Sequence, residues 1–286
     1  MNPAPSLTFR ASGSLIGLAA GRGLARGPGP DGGLALARIL AEELAAGRRD
    51  LRALAHRWIA HARSHPDGMD RETGDALAHV ERHDSPPSRA AGEGSDPLVR
   101  TVPVALAAFD APRVLVSATY HIAALTHPEP VVAWSAVAVN VAIARFLQGK
   151  RDFVGDVIEA LRENHAPESL LSAVRRVPIP ARSAEPRSPG RALEDAEAAL
   201  RLAYHEPLLE RGLVALAAGG QSFAGRAGLA GALLGARAGV DAVPADWTSP
   251  DDRAILGSLA ARLVRVEPAS AVGPATESSA ASAPSS

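Results

Sequence analysis

The sequence predicts an all-α protein, and three observations carry that prediction. Apolar residues recur at helical spacing almost throughout. No segment alternates convincingly with the period of two that a half-buried strand requires. Hydrophobic residues make up 47% of the 286 residues while aromatics reach only 3%. Such a core must be built from Ala, Leu and Val packed closely, which suits helices better than a sandwich or barrel.

Leu34 to Ala46 reads as a helix stopped by Gly47. Asp50 is a good N-cap for the next, in which Leu51, Leu54, Ala55, Trp58, Ile59 and Ala62 share one face. Asp110-Ala111-Pro112 opens a helix that runs to about Thr126, with Pro in the first turn where its missing donor is harmless. After the His127-Pro128 break, Pro130 starts a long helix to Gln148, with Gly149 in the C-cap place. Asp152 to Arg162, Leu193 to Tyr204 and Leu208 to Ala218 continue the pattern. Gly219-Gly220 punctuates it, and Ala227 to Ala238 forms a helix of small residues. Ser249-Pro250-Asp251-Asp252 caps a last helix to about Val264. Asp84 to Pro97 and Pro178 to Pro189 read as loops. The expected organisation is one domain over residues 1–266 and an Ala/Ser/Pro tail over 267–286 whose composition predicts disorder.

Thirty Lys+Arg against 31 Asp+Glu leave a formal charge of -1, which argues against binding nucleic acid through bulk electrostatics. With no cysteine, disulfides, zinc-thiolate sites and thiol nucleophiles are excluded together. The most apolar stretch, Val131 to Leu147, is interrupted by Asn140 and Arg145 and falls short of the roughly 20 residues of a bilayer span. Leu15 to Ala20 lies behind a single Arg10, without the charged region or the length of a secretory signal. The expectation is a soluble, cytoplasmic protein with no membrane partner.

Six segments in order, Gly13 to Gly21, Gly29 to Leu36, Leu98 to Pro103, Ala124 to Pro130, Gly219 to Ala236 and Val243 to Trp247, together resemble the ADP-ribosylglycohydrolase family. Gly13-Ser14-Leu15-Ile16-Gly17-Leu18-Ala19-Ala20-Gly21 is similar to its opening Gly-rich helix. Gly29-Pro30-Asp31-Gly32-Gly33-Leu34 stands where the family has Thr-Asp-Asp-Thr before an apolar helix. Leu98-Val99-Arg100-Thr101-Val102-Pro103 resembles its Met-Arg-x-x-Pro, and Thr126-His127-Pro128-Glu129-Pro130 its Thr-His-x-x-Pro junction. Gly219-Gly220-Gln221-Ser222, followed by Ala230 to Ala236, lies where the family has Gly-Gly-Asp-Thr-Asp-Thr and a helix. Val243-Pro244-Ala245-Asp246-Trp247 is similar to Ile-Pro-x-x-Trp. The resemblance implies a compact all-α bundle in which two Asp-rich loops hold two magnesium ions. Those ions orient ADP-ribose and position water at the glycosidic bond.

At the ligand positions the chain departs from that pattern. Pro30 falls where the first Asp stands, leaving Asp31 as the one implied metal residue. Gln221 and Phe223 replace the second pair, and no Asp or Glu lies between Gly219 and Gly239. The family's Gly-Asp in the opening helix becomes Gly21-Arg22, a charge reversal. A divalent cation and a carboxylate about 4 Å apart attract by roughly 2 to 8 kcal/mol at effective dielectrics of about 80 to 20. Losing three such partners should end tight binding of a metal pair, so no cofactor is expected. The resemblance implies an acidic residue, serving as a base, just upstream of an Asn-Gly pair. Here that pair is Ser95-Asp96, Gly92 falls near the acid's place, and Glu93 and Asp96 are the nearest carboxylates. These two are the candidate catalytic residues. Ser95, Arg100 and His127, with Gly219, Gly220, Gln221 and Ser222, are the candidate ligand contacts. The glycine pair offers backbone donors that suit phosphate and equally suit a tight turn.

His61 with His65, and His79 with His83, sit at chelating i, i+4 spacing, but the Glu of a zincin motif is missing after His61. Gly220-Gln221-Ser222-Phe223-Ala224 is similar to a nucleophile elbow, yet that motif needs a preceding strand where Leu208 to Ala218 reads as helix. Three functional expectations stand side by side. The leading one is a degenerate family member that binds ADP-ribose, a nucleotide or an ADP-ribosylated protein without metal-dependent hydrolysis. The second is an active hydrolase using Asp31 with Glu93 or Asp96. The third is a structural or interaction protein.

Overall fold

Two glycine-rich helices lie in backbone contact at the centre of the molecule. The computed structural model describes residues 5–88, 92–180 and 191–267. α1 (Leu7–Arg26), capped by Ser6, packs along α12 (Ala224–Ala238) more extensively than any other pair of elements. A Cβ on Gly17 would run into the backbone carbonyl of Gly231, and one on Gly231 into that of Gly17. Gly13 and Gly235 exclude each other's side chains in the same way, and a Cβ on Gly21 would strike the carbonyl of Ala227. The helices therefore approach closely only because these positions lack side chains, as in other small-residue helix contacts. Arg22, the next residue after Gly21, is held in register against the start of α12.

The remaining helices wrap this pair. α2 (Gly32–Ala45) starts at the Asp31 N-cap and packs on α5 (Asp96–Ala107) and α3 (Leu51–Ser64). Trp58 of α3 is fully buried and donates its indole N–H to the Leu36 carbonyl at 3.1 Å. α4 (Arg71–His83) folds back on α3, and α6 (Pro112–Ala124) packs on α5. α7 (Pro130–Leu147) threads the interior against α5, α6 and α12. It also meets α8 (Val154–Glu163) and α10 (Ala192–His205). By length and composition α7 could cross a membrane, but 78% of its apolar window is buried inside the protein, so it is a core helix here. α9 (Glu168–Arg175) lies on α8, α11 (Leu209–Ala217) on α12, and α13 (Pro250–Leu263) closes over α1 and α2.

The described residues hold thirteen α-helices and one isolated antiparallel bridge, Gly94 to Arg191, with no strand among them. The fold is all-α, as the periodicity predicts. Three helices differ from the sequence expectation: α4, α5 and α9 were not delineated by it. α5 begins inside the stretch read as a loop from Asp84 to Pro97, because Pro97 sits in the first turn and starts the helix rather than ending one. α12 begins three residues earlier than expected, at Ala224. Most of the expected loop from Pro178 to Pro189 lies outside the described residues, as does the tail beyond Glu267.

Candidate functional site

The site forms where the last turn of α1 meets the first turns of α2 and α5. Arg22 is only 2% exposed, and its side chain runs through a passage kept open by glycine on both sides. A Cβ on Gly228 would come within 2.6 Å of Arg22 Cγ, and one on Gly33 within 2.9 Å of Nη2 and 3.0 Å of Asp96 Oδ1. At its end the guanidinium grips two carboxylates. Nε donates to Asp31 Oδ2 at 2.6 Å, Nη2 to Asp31 Oδ1 at 2.7 Å, and Nη1 to Asp96 Oδ1 at 2.8 Å. Asp31 Oδ1 also accepts the Leu34 N–H at 3.1 Å as the N-cap of α2. Arg26 approaches Asp31 from the solvent side at 3.7 Å. One fork thus ties three helices by charge-assisted bonds.

Around this trio lies a second layer drawn from α4 and α5. Asp70, the N-cap of α4, accepts the Thr73 N–H at 2.8 Å and lies close enough to Asp96 to feel its charge. Burial and then the Asp96 charge raise the Asp70 pKa, while Arg100 opposes the shift. Burial works against ionisation of Asp96, but Arg22 and then Arg100 outweigh it and hold that carboxyl at about 2. Arg100, fully buried in α5, donates from Nη2 to Thr73 Oγ1 at 3.2 Å and lies over the Trp58 ring at 5.5 Å. Its Nε and Nη1 have no hydrogen-bond acceptor. His127 is 1% exposed, and burial and then Arg100 push it down to about 3, so it is a neutral imidazole. Its Nε2 lies 3.3 Å from Glu72 Oε2 and its Nδ1 3.0 Å from Thr126 Oγ1. The tautomer with Nε2–H donating to Glu72 and Nδ1 accepting from Thr126 satisfies both contacts. Glu72 Oε2 also accepts the Gly94 N–H at 3.1 Å, fixing the segment that leads into α5.

The other candidate residues are spread along this end of the bundle. Ser95 is buried just before α5, where a Cβ on Gly225 would overlap its hydroxyl. Nearby, Asp195 of α10 accepts from Arg226 Nε at 3.0 Å, and the Arg226 guanidinium lies 5.0 Å over the Phe223 ring. Glu93 turns the other way: its carboxylate pairs with Arg191, and its carbonyl accepts the Ala192 N–H at 2.8 Å. Gly219 and Gly220 form the turn after α11, with Gly220 at φ 71°, and Gln221 and Ser222 are exposed in the short 3-10 turn that follows. This turn reaches the end of α1 through the contact of Ala25 with Ala224, Ala227 and Leu216. Asp31 and the Gly219 to Ser222 turn therefore flank the same last turn of α1. A 420 Å³ pocket beside Asp31 is lined by Leu34, Arg38, His61, Asp252 and Leu256 among others, and does not take in Ser95, Gly220 or Ser222.

Arg22 is legible in the sequence only as a reversed charge, and Asp70, Glu72 and Thr73 are not among the candidate residues. The spacing Asp70-x-x-Thr73 carried a readable N-cap signal for α4. Asp195 and Arg226 gave none, since each sits inside a helix and meets the other only across the fold. The paired histidines face each other at ring distances of 4.5 Å (His61 and His65) and 4.4 Å (His79 and His83). Among the described residues no three His, Asp or Glu side chains come together to hold a metal ion.

The magnesium pair implied by the family resemblance does not fit these residues. Both oxygens of Asp31 and Oδ1 of Asp96 are taken by a resident guanidinium, a cation in the space between them. The second loop presents Gln221 and Phe223, and Mg²⁺ prefers a near-octahedral set of carboxylate and water oxygens.

A helical fold centred on a glycine-paired helix couple, with a polar site at the couple's end, defines the class of protein. The chain belongs to the ADP-ribosylglycohydrolase family, whose model matches residues 31–271. The match begins at Asp31, so Arg22 lies just before it. A solved structure described as an ADP-ribosylglycohydrolase-related protein complex superposes with a TM-score of 0.76 at 22% identity, over 91% of this chain and 99% of that one. That likeness bears on the fold alone. A search of curated proteins finds no match.

Proposed function

We propose that this chain is a family member that has lost magnesium-dependent cleavage of ADP-ribosyl bonds and acts as a non-catalytic binder of ADP-ribose or of an ADP-ribosylated protein. The observation that carries the reading is Arg22, whose three N–H groups occupy the carboxylates of Asp31 and Asp96. A metal-activated water would need those oxygens free. A binding role is supported over a purely structural one by the polar groups kept buried beside the start of α5. Ser95, Thr73, Arg100 and His127 are all under 9% exposed, and Arg100 keeps two donors without an acceptor. Burying such groups costs stability, and a ligand that supplies the missing acceptors would offset that cost.

Isothermal titration with ADP-ribose, with and without Mg²⁺, tests the reading. The expected result is binding with the same dissociation constant in both conditions. A dissociation constant that tightens tenfold or more with Mg²⁺, or no binding at millimolar ADP-ribose, would contradict it.

A further inference from the structure

Arg22 is enclosed as if it were a bound ion. Its guanidinium makes three bonds to two carboxylates, its stem passes between Gly228 and Gly33, and 2% of the residue meets solvent. We infer that Arg22 is a resident cation which replaces a divalent metal ion structurally, joining α1, α2 and α5 through Asp31 and Asp96. The inference rests on the same ion trio as the proposed function but concerns the ligand-free protein, so it stands or falls independently of whether ADP-ribose binds.

Three physical points lead there. First, Asp31 and Asp96 come from different helices and face one guanidinium, so without it two carboxylates would confront each other in a partly buried space. Second, the contact is a fork matched to the carboxylates: two parallel bonds to Asp31 and a third to Asp96, a planar pattern that an ammonium cannot reproduce. Third, the passage is built for this side chain. Any residue larger than glycine at 33 would press on Nη2 and on Asp96 Oδ1 together, and any at 228 would press on the Arg22 stem. Removing the arginine side chain therefore exposes a cation-shaped cavity with two carboxylates already aimed into it.

The consequence is a chain whose cation requirement is hidden until Arg22 is removed. Arg22→Ala should create a site that takes an external cation, either Mg²⁺, whose hard oxygen preference the carboxylates meet, or methylguanidinium, which has the shape of the missing group.

Melting curves of the full chain without ligand test this, with NaCl matched for ionic strength. For the unaltered protein, 10 mM Mg²⁺ should leave Tm unchanged within a degree. Arg22→Ala should melt about 10 °C lower, since a buried pair is broken by removing one partner. Either millimolar Mg²⁺ or millimolar methylguanidinium should restore a third or more of that loss, and matched NaCl should not. Arg22→Ala that melts with the unaltered protein, or that melts lower and responds to neither cation, would overturn the inference. Should Arg22→Ala fail to fold, Arg22→Lys and Arg22→Gln decide it. The lysine variant, which keeps the charge and loses the fork, should melt above the glutamine variant, and the reverse order would overturn the inference.

Discussion

A buried imidazole beside a buried guanidinium has a predictable response to acid. His127 is held neutral by burial and by Arg100, down to about 3, whereas an unfolded histidine titrates near 6.5. Below pH 6.5 the unfolded chain takes up a proton that the folded one refuses. Stability therefore falls as the pH drops from about 6.5 toward 3, by up to about 1.4 kcal/mol per pH unit from this residue. Urea melts at pH 7, 6 and 5 should show that slope between pH 6.5 and 5, above the range where most carboxylates titrate. His127→Gln should flatten it, and an unchanged slope in the variant would assign the acid sensitivity to another group. The position was legible in the sequence as part of Thr126-His127-Pro128, but its partners were not, because Glu72 and Arg100 reach it only through the packing of α4 and α5. Arg22 shows the same limit. A charge reversal can be read from one chain, but its capture by Asp31 and Asp96 depends on the exit angle of α1 and on the room left by Gly33 and Gly228.

Among the helices, α1 and α12 carry the most specific requirement. Their carbonyls and Cα atoms meet at Gly13, Gly17, Gly231 and Gly235, with no flexible side chain to yield. Gly231→Ala should therefore destabilise the protein by about 3 kcal/mol or more, although alanine is the better helix former. Gly257→Ala in α13 is the matched control. Its added methyl would meet only Ile16 Cδ1 at 4.0 Å, and helix propensity alone should then stabilise by up to about 1 kcal/mol. Chemical denaturation of both variants checks the pair, and equal effects would mean that the two helices can separate at little cost. The sequence displayed these glycines and their helix, though not which helix they would meet. The element least legible in the sequence is α5, whose first residues fall inside the stretch from Asp84 to Pro97 that reads as a loop. Pro97 costs nothing in the first turn. Pro103 is carried inside the helix, which α7 supports from outside: Asn140 Nδ2 donates to the Thr101 carbonyl at 2.9 Å and to Thr119 Oγ1 at 3.1 Å.

For the molecule as a whole, the proposed function has fold and chemistry separated. The helical bundle, the family match and the glycine-paired centre are retained, while the ion-binding end of the bundle holds an arginine of the chain itself. Six short motifs made the fold readable from one sequence because each fixes a helix end or a close helix contact. The state of the site was only half readable. Pro30, Gln221 and Phe223 stand where the resemblance implies ligands, but only the folded arrangement shows that Arg22 lies against Asp31 and Asp96. The most direct measurement is release of ADP-ribose from ADP-ribosylated arginine or serine by the unaltered protein in 10 mM Mg²⁺. No release above a protein-free control is expected, with Arg22 holding the Asp31 and Asp96 carboxylates. Mg²⁺-dependent release that is abolished by Asp31→Ala would contradict that expectation, and would place Asp31 in a working site.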